Sequence, residues 1–180
     1  LNTLNIRLDA DTLAFILDHG EAKALLTDSE FFEVMTDAVE KTGRDILVID
    51  IDDPLAGNPG PFLGEMTYEQ FLETGDPGFA YGPPADEWQA VSLNYTSGTT
   101  GRPKGAVISH RALIARGAVF GMDLGIMSNE TFVAWAPFFH MASTDQALAT
   151  LMRGGSVVPT RPGWQPRSRR ACRRTGPMSA

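Results

Sequence analysis

Four hydroxyls, three glycines and a lysine fall within ten residues, Thr96 to Gly105. Thr96, Ser97, Thr99 and Thr100 supply the hydroxyls, and Gly98, Gly101 and Gly105 remove Cβ atoms that would hold a ligand off the backbone. Consecutive free N–H groups in such a loop make a concavity for anions. Lys104 adds a mobile point charge. These residue types at this spacing suit a polyphosphate. Two familiar phosphate loops do not fit. The P-loop places its Lys directly after the second Gly and then opens a helix; here Arg102 and Pro103 intervene, and Ala106-Val107-Ile108 reads as a strand. The dinucleotide G-x-G-x-x-G pattern is absent. A flexible hairpin loop without a ligand is the bland alternative.

The flanking sequence must position this loop. Val91 to Tyr95 reads as one strand and the run from Ala106 as the next. Upstream, Asp9 or Asp11 can cap a helix in which Leu13, Ile16 and Leu17 fall at helical spacing, and Gly20 ends it. Residues 22–27 form a buried strand, Ser29 caps a helix over 30–41 with Phe31, Val34, Met35, Ala38 and Val39 on one side, and residues 45–50 form another buried strand. Strand, helix, strand implies parallel pairing in an α/β layer. Residues 51–64 and 75–87, rich in Pro and Gly, are connections, and Thr67 caps a short helix between them.

After the loop, a helix starts at Ser109 or His110 with Leu113, Ile114 and Val119 as its inner face. A strand over 131–137 ends in Phe138-Phe139-His140, a helix spans 144–152, and residues 156–159 start one more strand. Ligands of open α/β sheets lie beyond strand C-termini, which is where His140 falls. A lone histidine ending a strand is also an ordinary structural residue. Tyr95 anchors the loop by packing, Trp135 and Phe138 line core or pocket, His110 starts a helix, and His19 is a surface residue.

The run YTSGTTGRPKG, Tyr95 to Gly105, resembles the phosphate-binding signature of the adenylate-forming enzymes: acyl-CoA synthetases, adenylation domains of peptide synthetases and firefly luciferase. Asn5-Ile6-Arg7-Leu8 with Phe15 to His19, and Pro137-Phe138-Phe139-His140, resemble two further motifs of that family. The resemblance implies a partial N-terminal domain, α/β, with a mostly parallel sheet, flanking helices and the phosphate loop between two strands. It implies binding of ATP through Thr96, Ser97, Gly98, Thr99, Thr100, Gly101, Lys104 and Gly105, with Lys104 acting on the β/γ charge. His140 lies on the acyl side. ATP, Mg²⁺ and coenzyme A are the implied cofactor and co-substrates, and a fatty or aryl carboxylic acid the substrate. No residue is assigned as a metal ligand. The adenine and ribose sites, the hinge and the C-terminal lysine of the family lie outside these residues. The family resemblance covers residues 1–160.

Composition bounds the rest. The chain has 180 residues, 43% hydrophobic and 21% charged, enough for one domain with a core. No apolar run reaches the roughly eighteen residues of a membrane helix, and no secretory leader is visible. Cys172 is the single cysteine, which excludes an internal disulfide and fits a reducing, cytoplasmic setting. The chain starts at Leu1 within sequence that already reads as folded, so a fragment is expected. Net charge is −7, and residues 1–160 alone carry about −13, which disfavours general binding of nucleic acid. Residues 161–180 hold six arginines and no acid. An out-of-frame or disordered end is expected there; a basic tail for nucleic acid or acidic lipid is the alternative. Two function classes follow: an acid–thiol ligase of which this chain is an inactive piece, or a non-catalytic remnant that at most binds polyphosphate. A piece of a peptide-synthetase adenylation domain remains a third reading, and oligomeric state is not legible.

Overall fold

Asp9 opens the first helix by accepting the N–H of Thr12 at 2.8 Å, a donor that helical geometry would leave without a partner. Helix α1, Ala10–His19, follows, and Gly20 closes it. The computed structural model describes residues 1–53, 60–96 and 101–160. It divides into two compact units. The first holds Leu4–Ala85 and Leu93–Ala106; the second holds Leu1–Thr3, Asp86–Ser92 and Val107–Ala180.

In the first unit, β1 (Ala24–Asp28) leads through a 3₁₀ turn, Ser29–Phe31, into α2 (Phe32–Thr42) and then β2 (Leu47–Ile51). A short strand β3 (Met66–Thr67) and helix α3 (Tyr68–Glu73) complete it. The sheet order is β1-β2-β3, all parallel, with Ala24 opposite Leu47 and Asp28 opposite Ile51. The expected strand–helix–strand unit is therefore present. Leu13, Ala14 and Leu17 of α1 meet Leu25, Met35, Ala38 and Ile46 in one core cluster. Each large side chain buried there is worth about 1.5–3 kcal/mol. The α1–α2 side of the sheet takes Leu25, with Val48 beside it, into this cluster; on the other face Ile49 is buried while Leu26, Leu47 and Ile51 are exposed. Where the sequence suggests full burial, β1 alternates, and β2 buries only Ile49 and Asp50.

Capping differs from expectation at α2. Asp28, not Ser29, accepts the N–H of Glu30, and Ser29 is buried inside the 3₁₀ turn. Thr67 behaves as expected, forming a reciprocal capping box with Gln70. Buried Asp50 uses both carboxylate oxygens to accept the N–H groups of Leu63 and Gly64, at 3.0 and 2.6 Å. That pins the incoming connection to β2. Gly64 fits because a Cβ there would lie 2.1 Å from the carbonyl oxygen of Val48.

The loop is flanked by β4 (Ala90–Thr96) and β5 (Lys104–Ser109), which hydrogen-bond to one another. In the second unit, α4 (His110–Asp123) starts on Ser109, whose side chain accepts from Ala112 N. Strand β6 (Thr131–Ala134), α5 (Met141–Met152) and β7 (Ser156–Pro159) form a second parallel strand–helix–strand unit, Thr131 opposite Ser156. The inner face of α4 is a correction. Ile114 and Val119 are exposed, and the buried residues are Gly117 and Gly121. Small residues let α5 approach closely, so bulk is not what faces it. Strand β6 stops at Ala134, short of the expected Pro137, because the chain turns there and His140 N donates to Pro137 O at 3.0 Å. Trp135 is 72% exposed, and Phe138 is exposed too, so neither is core among the described residues.

Candidate functional site

Thr96 is the last residue of β4 and is exposed; Lys104 is the first of β5 and is exposed as well. The strands thus extend further into the motif than the ten-residue loop read from the sequence. Ser97, Gly98, Thr99 and Thr100 lie outside the described residues. Gly101 has φ of 137°, a backbone setting that favours glycine. Lys104 makes no ion pair among the described residues, so its ammonium is available to an external anion.

The flanks of the loop are fastened to α1. Tyr95 Oη and Nδ1 of His19 are 2.7 Å apart, and the two rings meet edge-on with centroids 5.8 Å apart. Phe15 lies one helical turn before His19, with ring centroids 5.2 Å apart, and meets Tyr95 edge-on at 6.5 Å. The guanidinium carbon of Arg102 stands 5.3 Å from the Phe15 ring centroid. Burial pushes the Tyr95 phenol above its ordinary range, so the hydroxyl keeps its proton and bonds the facing ring nitrogen. Gly105 has a packing reason of its own. A Cβ there would lie 2.9 Å from Leu93 Cδ1 and 3.4 Å from the Tyr95 ring.

His140 is in the second unit, as the N-cap of α5. Its Nδ1 accepts from Ala142 N at 3.3 Å. That assignment puts the proton of the neutral ring on Nε2, which becomes a hydrogen-bond donor on an exposed side chain. Capping by His140 also explains why α5 starts at Met141 and not at Thr144. Ser143 Oγ donates to Ala136 O at 2.6 Å, and Thr144 Oγ1 to Phe138 O at 3.0 Å, so the first turn of α5 grips the residues before His140. A cavity of about 150 Å³ in the same unit lies among Leu124, Ile126, Phe132, Gln146 and Thr150. Ordinary ligand pockets hold roughly 300 Å³ or more, and His140 does not line it.

Among the sequence-assigned residues, Thr96, Gly101, Lys104 and Gly105 share the first unit, and His140 belongs to the second. Sequence reasoning left out His19 and Phe15 as partners of the loop. Their spacing of four residues on one helix, both aromatic, is a signal of a shared face, but nothing in the sequence says that Tyr95 meets that face. Among the described residues no group of three or more His, Cys, Asp or Glu could hold a metal ion, and no helix is long and apolar enough to cross a membrane.

A family model described as AMP-binding enzyme matches residues 1–178. The chain is 38% identical over 151 residues to a peroxisomal acetate/butyrate–CoA ligase of Arabidopsis thaliana, covering 78% of this chain and 26% of that protein. It is 39% identical over 151 residues to an acetate–CoA ligase of Humulus lupulus, covering 78% and 27%. The fold matches that of an anthranilate CoA ligase in complex with anthranoyl-AMP, with a TM-score of 0.76 and 22% identity, covering 91% of this chain and 30% of that one. A long-chain-fatty-acid-CoA ligase from Archaeoglobus fulgidus gives a TM-score of 0.72 at 24% identity, covering 88% and 30%. The chain therefore spans under a third of the length of each of these proteins.

Proposed function

The chain belongs to the AMP-binding enzyme family, and from that premise we propose that it is part of an acid–thiol ligase. A carboxylate oxygen attacks the α-phosphorus of ATP, the α–β phosphoanhydride bond breaks, and pyrophosphate leaves. The thiol of coenzyme A then takes the acyl group and AMP departs. The observation that carries this reading is an exposed Lys104, without an ion pair among the described residues, at the head of β5, and Thr96 at the end of the hydrogen-bonded neighbour β4.

The physical demand is charge. A carboxylate must approach a triphosphate, and cations and aligned donors have to absorb the charge that collects on the departing pyrophosphate. Lys104 supplies one positive charge to the β/γ-phosphates, and Thr96, Ser97, Gly98, Thr99, Thr100, Gly101 and Gly105 supply hydroxyls and amides. His140, with Nε2–H free to donate, orients the carboxylate. Mg²⁺ would come with the nucleotide and, when bound, would neutralise part of the phosphate charge; no residue of this chain is assigned to hold it.

Residues 1–160 are proposed as a partial adenylation domain, and residues 161–180 as an appended tail from another reading frame. The family match extends to residue 178, so the adjacent frames of the gene decide the second point. Acetate and butyrate, named for the plant relatives, head the panel of candidate acids, with aryl acids beside them. Cytoplasm and peroxisome are the two compartments to test, the Arabidopsis acetate/butyrate–CoA ligase being peroxisomal. ATP–pyrophosphate exchange with this panel tests the reading. A full-length parent containing these residues is expected to exchange label, and the 180 residues alone are not. A parent that binds ATP but never exchanges with any acid would leave only a non-catalytic polyphosphate binder.

A further inference from the structure

The geometry points to His19 as a positioning residue for the nucleotide-gripping turn: α1 carries, on one face, the two aromatic residues that hold both ends of that turn. Tyr95, one residue before Thr96, hydrogen-bonds His19 Nδ1 at 2.7 Å. Arg102, two residues before Lys104, rests its guanidinium 5.3 Å from the Phe15 centroid. Phe15 and His19 are four residues apart on α1, so one helical turn receives both flanks. The helix itself is rigidly seated, because Leu13, Ala14 and Leu17 on its other side are in the core cluster.

This placement has consequences for the chemistry. Thr96 and Lys104 are each within two residues of an anchored side chain, so their positions relative to one another are set by α1 as well as by the β4–β5 pairing. A site fixed before the ligand arrives loses less on binding than one that must be ordered by it. The close fit reaches the backbone as well. A Cβ at Gly20, just past His19, would lie 3.4 Å from Tyr95 Oη and 3.3 Å from Leu93 Cδ2. His19 touches no reacting atom in this account; it acts through Tyr95.

The inference rests on the carboxylate-activation reading, and the experiment separates the two. In a full-length parent, His19→Leu and Tyr95→Phe are compared with wild type by ATP–pyrophosphate exchange at varied ATP and varied acid. Each is expected to raise KM for ATP about 3- to 10-fold, the span of one lost hydrogen bond. The KM for the acid should stay unchanged. The double variant should be no worse than either single one, since both remove the same bond. His19→Gln, whose amide can still hydrogen-bond the tyrosine in either sense, should restore most of the affinity. If His19→Leu does not fold, Tyr95→Phe, which deletes one hydroxyl, carries the same test. An unchanged KM for ATP in an active Tyr95→Phe enzyme, or additive effects in the double variant, overturns the positioning role alone. A wild-type parent without exchange overturns the activation reading and this role with it.

Discussion

Arg116 on α4 clasps both carboxylate oxygens of Asp145 on α5, and the Asp145 side chain is 2% exposed. Hydrogen bonding to that carboxylate raises the pKa of the arginine above its ordinary value. A two-pronged grip of this kind uses the planar fork of Arg, which Lys cannot reproduce. The pair joins the two helices across the glycine seam of α4, where apolar bulk is missing. Arg116→Ala would strand a buried carboxylate. We expect a loss of about 3 kcal/mol in denaturant unfolding, with Arg116→Lys recovering only part of it. Equal midpoints for wild type and Arg116→Ala would show that the ion pair adds nothing.

Lys104 gives the clearest functional expectation. Lys104→Ala in a full-length parent should slow ATP–pyrophosphate exchange about 10-fold or more, corresponding to about 1.4 kcal/mol of transition-state stabilisation. Folding should be untouched, since the side chain is exposed and has no ion pair among the described residues. Exchange at the wild-type rate would remove Lys104 from the chemistry.

Gly64 and Asp50 should be sensitive for one shared reason. A methyl at Gly64 would meet backbone, the Val48 carbonyl oxygen at 2.1 Å, and backbone cannot swing aside as a side-chain tip would. Gly64→Ala is expected to cost about 3 kcal/mol or more. Asp50→Ala leaves the N–H groups of Leu63 and Gly64 without their acceptor and should cost about 2–3 kcal/mol. Thermal melts of the two variants check both; a Gly64→Ala protein as stable as wild type would show that the connection is free to move.

Asp9 sets a small acid sensitivity. Its hydrogen bonds with Thr12 lower its pKa below the ordinary 3.8. A carboxyl with a depressed folded pKa stabilises the fold fully above the unfolded value. That contribution is lost as pH falls below about 3.8 and through the lower folded value. Asp9→Asn keeps a capping oxygen without a charge, so its helicity, followed by circular dichroism between pH 5 and 2, should depend less on pH than that of the wild type. An identical acid transition in both proteins would exclude Asp9 as a contributor.

The sequence disclosed some of this more readily than the rest, and the division has physical causes. Periodicity and caps are local, so α1, α3 and the β1–α2–β2 crossover were readable from Asp9, Thr67 and the apolar runs. The two strands that flank the glycine-and-hydroxyl stretch were readable from the apolar runs on either side of it, while Ser97 to Thr100 lie outside the described residues. Contacts between segments distant in the chain were not. The seam of Gly117 and Gly121 looks like a weak helix until α5 is seen against it. The exposed faces of Leu26, Leu47 and Ile51 depend on which side the helices cover. Likewise, His19 is exposed, as its sequence context suggests, yet the partner 76 positions later that gives it a role is invisible in a local window.

Among the described residues, the buried members of the core cluster run from Leu13 to Ile46, with Val48 and Leu63 packed against them. During synthesis, therefore, α1 and its supporting helix and strands hold most of their core, and by Thr67 also the contacts of Leu63, Gly64 and β3, well before Tyr95 is made. Phe15 and His19 would already be in place when Tyr95 leaves the ribosome, so the turn is born onto a finished foundation. A mutation that loosened Leu13 or Met35 would then disturb the seat of Phe15 and His19 from the far side of the helix.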